Sequence, residues 1–235
     1  MLAAREPLSF SWMNVIPNSS LGTCIDDVTV STAVGLRLSA PICHPHVCAG
    51  CQQPVMRDGH HALSCLFSKG RWFRHTMINR EIAGSLSKAM ISNQREPSGT
   101  HLDPHIRPDG ISIVPWSHGN FLAWDLTVAD TLAPSYLTAT SLRAGAAALL
   151  LEKNKQLKYK DTLPQYTFIG IGLETLGPAG PCAKRFFSDL ERRMETSNSE
   201  SREFTFLQQR ISMIIVRSNA ISLLGTMANG SQTTG

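Results

Sequence analysis

The chain has 235 residues, 42% of them apolar and 17% charged, which is the make-up of a folded globular protein with a real core and excludes a disordered or fibrous chain. Its net charge is +4 and its pI near 8.8, a mildly basic balance that permits an acidic partner without requiring one. Arg5 and Glu6 interrupt the stretch where a secretory signal needs an unbroken apolar run, and Arg217 and Asn219 interrupt the most apolar C-terminal stretch, so a soluble intracellular protein is expected.

Residues 1–42 read as a helix-containing lead-in. The next segment, 43–70, gathers Cys43, Cys48, Cys51 and Cys65 with His44, His46, His60 and His61. Such clustering points to metal rather than disulfides in a reducing compartment. Cys24 and Cys182 stand apart and are expected to be buried thiols. Within "CAGCQQPVMRDGHHALSC", Cys48, Cys51, His60 and Cys65 have a C-x2-C-x8-H-x4-C spacing. Two close-set thiolates form one half of a tetrahedron, and an imidazole and a thiolate beyond the Gly59 turn close it around Zn²⁺ with no open position. A small register change would substitute His61 for His60, and Cys43, His44 and His46 are nearby alternatives.

The following "KGRWFRH" interleaves Lys69, Arg71 and Arg74 with Trp72 and Phe73. Cations contact phosphates and aromatic faces stack on bases, so this pattern after a zinc segment suggests nucleic acid. Over residues 66–95, Lys69, Arg71, Arg74, Arg80, Lys88 and Arg95 are opposed by Glu81 alone. Met77, Ile78, Ile82, Leu86, Met90 and Ile91 recur at helical spacing and predict an amphipathic helix with a basic outer face.

Residues 106–130 read as two strands joined around "SHGN". Alternation puts Phe121, Ala123, Asp125, Thr127 and Ala129 on one face. Asp109 opens the preceding strand, next to Pro108. A regular hairpin would set Asp125 opposite Ser112, leaving the two carboxylates about three residues out of line unless a bulge or bend intervenes. Two carboxylates on neighbouring strands suit Mg²⁺, a hard ion that takes one or two protein oxygens and keeps waters.

Residues 140–159 predict one helix, with Thr140 or Ser141 as N-cap. On it Ala148, Glu152, Lys155 and Tyr159 share a stripe, while Lys153 falls with Leu142, Leu149 and Leu157. A buried strand over 165–177 follows, then helices over 181–196 and 201–224 and a disordered tail. The fold class expected is α/β, a small mixed sheet flanked by helices.

"RPDG" followed by the aspartate of "WDLT" resembles the core of the PD-(D/E)XK nuclease superfamily. The run from "VGLRLSAPICHPHVC" through the zinc segment, "RHTMIN", "REPSG", "RPDGISIVPW", "WDLTVADTLAPSY", "KNKQLKY", "ETLGP" and "FLQQRISMIIVRSNAISLLGT" resembles the C-terminal portion of site-specific non-LTR retrotransposon polyproteins, covering about residues 32–226. That portion joins a zinc knuckle to a restriction-like endonuclease. The resemblance implies a zinc knuckle over 43–70, a nuclease domain over 71–226, a tail over 227–235, Mg²⁺-dependent DNA cleavage and a nuclear location. It assigns Asp109 and Asp125 to the metal-binding acids, and Arg74 with His75 to the start of an "RHN" block in which Thr76 replaces the Asn. Thr127 stands where the superfamily pattern has lysine. Relatives place that lysine on the following helix, which makes Lys155 the first candidate and Lys158 the second. Glu174 is a further acid or a cap. Lys69, Arg71, Arg74, His75 and Arg80 are the expected contacts with the nucleic-acid partner, DNA or RNA of the parent element. The alternative is a catalytically inactive nucleic-acid-binding fragment of a retroelement polyprotein.

Overall fold

The structure, a computed structural model, describes residues 2–98, 107–163, 165–197 and 202–228. The tail predicted from the sequence therefore falls, from residue 229 on, outside the described residues. The lead-in consists of a 3-10 turn at Leu2–Arg5, α1 at Pro7–Phe10, a second 3-10 turn at Ser11–Asn14, and α2 at Asp27–Leu38. A two-stranded hairpin, β1 at His46–Val47 and β2 at Pro54–Val55, and the single turn α3 at His61–Ser64 make up the cysteine segment. Then come α4 at Lys69–Lys88, β3 at Asn93–Arg95, β4 at Gly110–Ser117 and β5 at Asn120–Ala129. The chain continues with α5 at Pro134–Leu142, α6 at Ala146–Tyr159, β6 at Tyr166–Glu174, α7 at Pro181–Ser197 and α8 at Glu203–Leu224.

The result is an α/β fold around a four-stranded mixed sheet in the order β3-β4-β5-β6. The first three strands pair antiparallel and β5 pairs parallel to β6. A parallel pair needs a crossover, and α5 and α6 supply it. One face of the sheet carries the main core, in which Ile78, Ile82 and Leu86 of α4 meet Leu122, Trp124 and Leu126 of β5. Trp124 is wholly buried and its indole N–H donates to Asn79 Oδ1 at 3.0 Å. Burial of its ring contributes roughly 2–3 kcal/mol, and the hydrogen bond spares the penalty of an unmade donor. On the other face α6 lies close over β6 because Gly170 and Gly172 present bare backbone. A Cβ on Gly172 would stand 2.6 Å from Ala148 O.

The helix predicted over 140–159 is two helices. Gly145 breaks it at φ 79°, and a side chain there would collide with Ala179 O at 2.7 Å. Neither Thr140 nor Ser141 caps α6. Instead Glu174, at the end of β6, accepts hydrogen bonds from the Ala147 and Ala148 amides at 3.0 and 3.3 Å. Glu152, buried on α6, performs the same service for α7, accepting from Cys182 and Ala183 at 3.0 and 2.8 Å as well as from Gly172 at 3.2 Å. Two buried carboxylates thus close the open amides of two helix starts, where the helix dipole favours negative charge.

The lead-in and the cysteine segment both dock on α8. Trp12 N donates to Ser212 Oγ, which donates in turn to Leu8 O. Ala49 N donates to Thr226 O at 2.8 Å, just beyond α8. Gly70 lets α4 approach so closely that a Cβ would sit 2.2 Å from Ser218 O. Against expectation Cys24 is exposed, and Cys182 is half-buried. Among the described residues, no helix is long and apolar enough to cross a membrane.

Candidate functional site

Cys48 and Cys51 lie in the turn that joins β1 to β2, and α3 carries the other half of the cluster. The donor atoms of Cys48, Cys51, His61 and Cys65 all lie within 4.8 Å of one another. Cys48 Sγ is 3.9 Å from Cys65 Sγ, and Cys51 Sγ is 3.1 Å from His61 Nε2. A tetrahedral ion with Zn–S bonds of about 2.3 Å has edges of about 3.8 Å, so three thiols and an imidazole at this spacing can hold zinc. The histidine that joins the three cysteines is His61, not His60. His61 and Cys65 are four residues apart across the turn of α3 and project the same way. His60 turns out to Asp58 at 3.7 Å. Cys43 donates instead to Met56 O, and His46 bonds Thr226 Oγ1, so neither joins the cluster. Burial opposes ionisation of Cys48, but the Cys51 and Gly50 amides and the His61 and Cys51 side chains outweigh it and bring its thiol down to about 6. Burial and the neighbouring Cys51 and Cys48 push Cys65 up to about 11.

An irregular register brings the backbone positions of the two strand acids into line. Ser117 pairs with Asn120, but Gly110 pairs with Trp124, a shift of three residues accumulated through two irregularities around Pro115. Proline has no amide hydrogen to give to a ladder, so it favours such a break. Asp109 and Asp125 consequently each stand one residue beyond the paired Gly110 and Trp124.

Asp125 is 4% exposed. Its Oδ1 is 2.7 Å from Lys155 Nζ and its Oδ2 accepts from the Tyr159 hydroxyl at 2.7 Å. The same hydroxyl lies 2.9 Å from Arg107 O, which ties Asp125 to the segment leading into Asp109. Tyr159 is fixed by stacking on Phe168, and burial, then the Asp125 hydrogen bond, push its phenol well above the ordinary range. Lys158 is exposed and rests over the Tyr159 ring, so the ion pair with Asp125 belongs to Lys155.

Asp109 Oδ2 accepts from the Leu126 amide at 2.6 Å and meets His75 Nε2 at 3.1 Å. Burial would raise its pKa, but the hydrogen bond and charge of His75 outweigh it, so Asp109 is held below the usual carboxylate range. The same hydrogen bond raises His75 against the opposing effect of burial. Asn79, one helical turn on, places Nδ2 at 3.5 Å from His75 Nδ1 while taking the Trp124 indole proton on Oδ1. Asp125 is thus gripped from the α6 face of the sheet and Asp109 from the α4 face, although both charges act on Tyr159 and on His75. Asn79 was not singled out from the sequence; its signal is the four-residue step from His75.

One expected role changes and one open choice is decided. Arg74 is 2% exposed and donates to Asn219 Oδ1, so it anchors α4 to α8 and is not available to phosphate. It lies four residues before Ile78, on the buried stripe of α4. Glu174 is a helix cap, with 0% exposure. Lys69, Arg71 and Arg80 are exposed, and His75 is half-buried against Asp109. No protein-family model matches the sequence, and no curated protein matches it significantly.

Proposed function

We propose that the chain is a Mg²⁺-dependent DNA endonuclease of the restriction-like kind, derived from a retroelement and acting in the nucleus. The observation that carries this reading is the contact of Lys155 with Asp125, on the face where Thr127 fills the position that a strand lysine would take. Support comes also from the register shift that brings Asp109 alongside Asp125, and from the pairing with His75 that keeps Asp109 ionised. Carboxylate oxygens are the donors a hard divalent ion takes, and each oxygen retains acceptor capacity beyond the bonds described. Asp109 and Asp125 would hold Mg²⁺, which when bound supplies positive charge against the phosphate oxygens.

The protein's own groups then have separate tasks. Lys155 orients a water toward phosphorus and offsets the negative charge that builds in the transition state. Tyr159 fixes Asp125, and His75, set by Asn79, fixes Asp109. Lys69, Arg71 and Arg80 contact the DNA backbone. The Cys48, Cys51, His61 and Cys65 site, with four protein ligands, is structural.

A second reading, a nucleic-acid-binding protein without catalysis, is favoured by the grip on the two acids from opposite faces of the sheet. A plasmid-nicking assay separates them. Nicking with Mg²⁺ or Mn²⁺, abolished by Asp109→Ala or Asp125→Ala with DNA binding retained, is the expected result. Metal-independent cutting, or full activity in both variants, would overturn the nuclease.

A further inference from the structure

The start of α4 carries aromatic surface that the fold does not use. Trp72 is 73% exposed and Phe67 66% exposed, whereas the other tryptophans, Trp12, Trp116 and Trp124, are all 8% exposed or less. Ser68 is the N-cap of α4, so Phe67 and Trp72 occupy the two positions, one before the cap and four beyond it, that a helix start brings together. Apolar residues there ordinarily bury one another as a staple. Here both remain largely in water.

Phe67 is placed by the cysteine cluster. Gly50, in the turn between Cys48 and Cys51, has no side chain, and a Cβ there would stand 2.7 Å from Phe67 Cβ. Trp72 is placed by α4, three residues before His75, so its backbone stands about 4.5 Å along the helix axis from that of the histidine that holds Asp109. The flanking charge is uniformly positive: Lys69 and Arg71 are exposed beside Trp72, and Arg80 lies farther along the same exposed arc. Acidic residues are absent from the stretch between Asp58 and Glu81.

Exposed rings with cations between them match the chemistry of an unpaired polynucleotide, whose bases offer stacking faces and whose phosphates are evenly charged. A paired duplex hides those faces and gains only from the cations. We infer that Phe67 and Trp72 form a stacking platform for an unpaired DNA strand, which leads that strand past His75 to the acids of the sheet. The inference rests on the nuclease reading for its choice of DNA and for where the strand goes, but the platform itself stands on exposure and charge.

The test is binding by the full-length, zinc-loaded chain carrying Asp125→Asn, so that no cutting occurs. Fluorescence anisotropy compares an oligothymidylate of about twenty nucleotides, a duplex of the same length and the corresponding oligouridylate. The unpaired DNA is expected to bind about tenfold or more tightly than the duplex and to quench the exposed tryptophan emission. Trp72→Ala and Phe67→Ala should each weaken it about tenfold, as loss of a stacked base does, with Trp72→Phe retaining most of the affinity and melting temperatures unchanged. Equal or tighter duplex binding, binding confined to the oligouridylate, or affinities within twofold of the parent in both alanine variants would overturn the platform. Stacking without any nicking by the parent chain would overturn the nuclease and leave the platform standing. Nicking without a preference for the unpaired strand would do the reverse.

Discussion

Lys155 reaches from α6 to within 2.7 Å of Asp125 on β5, and its stem passes over Gly170, the residue paired with Asp125 on β6. That glycine leaves room for the lysine stem, since a Cβ there would stand 3.2 Å from Lys155 Cβ, a tight approach. If this ammonium serves phosphodiester cleavage, Lys155→Met should lower the nicking rate by roughly a hundredfold to a thousandfold, the range for loss of one preorganised donor. It should also cost about 1–3 kcal/mol of stability by leaving a buried carboxylate short of a partner. Lys155→Arg should restore stability more than activity, because a planar guanidinium does not place its charge where the ammonium was. Nicking kinetics beside urea unfolding of each variant check this. A Lys155→Met protein that is destabilised yet cuts at the parental rate would reduce the pair to a structural one.

The cluster of Cys48, Cys51, His61 and Cys65 makes a sharper distinction, between adjacent histidines. One zinc per chain is expected by elemental analysis, with His61→Ala and Cys48→Ser losing it and His60→Ala keeping it. Chelation should lower the melting temperature of the parent and of His60→Ala but leave His61→Ala unmoved. Because Ala49 and His46 bond to Thr226 beyond α8, the loss should spread past the knuckle to the end of that helix. Hydrogen exchange at α8 before and after chelation measures that spread. Retention of zinc by His61→Ala would show that the fourth ligand is another residue.

The sequence announces most elements because their apolar spacing is regular: α4, α7, α8 and the long strands follow from it, and so does the stripe that aims Lys155 and Tyr159 the same way. What it hides is decided by contacts between distant segments. Gly145 reads as one of several small residues in a helix, and only the nearness of Ala179 and the capping carboxylate of Glu174 make it a break. The choice between His60 and His61 turns on where the short α3 begins, which spacing alone leaves open. Two further features are written in single residues. Pro115 within a strand marks the register shift that brings Asp109 toward Asp125, and Arg74, four before Ile78, sits on the buried stripe despite its charge.

Acid should weaken the docking of the lead-in through Asp26. Asp26 caps α2, accepting from Thr29 N at 2.8 Å and from Thr29 Oγ1 at 2.9 Å. Arg217 of α8 holds the preceding loop through Gly22 O and Cys24 O at 2.6 and 2.7 Å and adds its charge to the site. Burial would raise the Asp26 pKa, but these hydrogen bonds, and then the charge of Arg217, carry it below its ordinary 3.8. A carboxyl whose folded pKa is depressed contributes stability above its unfolded value and loses it as pH falls through the folded one. Asp26→Ala should therefore cost about 1 kcal/mol at neutral pH, the usual worth of an N-cap. Asp26→Asn should cost only a few tenths, since asparagine caps as well and forfeits only the charge. The gap between parent and Asp26→Asn should close as pH falls through the depressed folded pKa, below the ordinary 3.8, while Asp26→Ala stays destabilised because a neutral carboxyl still accepts from Thr29. Urea titrations across that range decide it. A parent-to-Asn gap that persists unchanged to pH 2 would mean that the charge of Asp26 contributes nothing to the docking of α2.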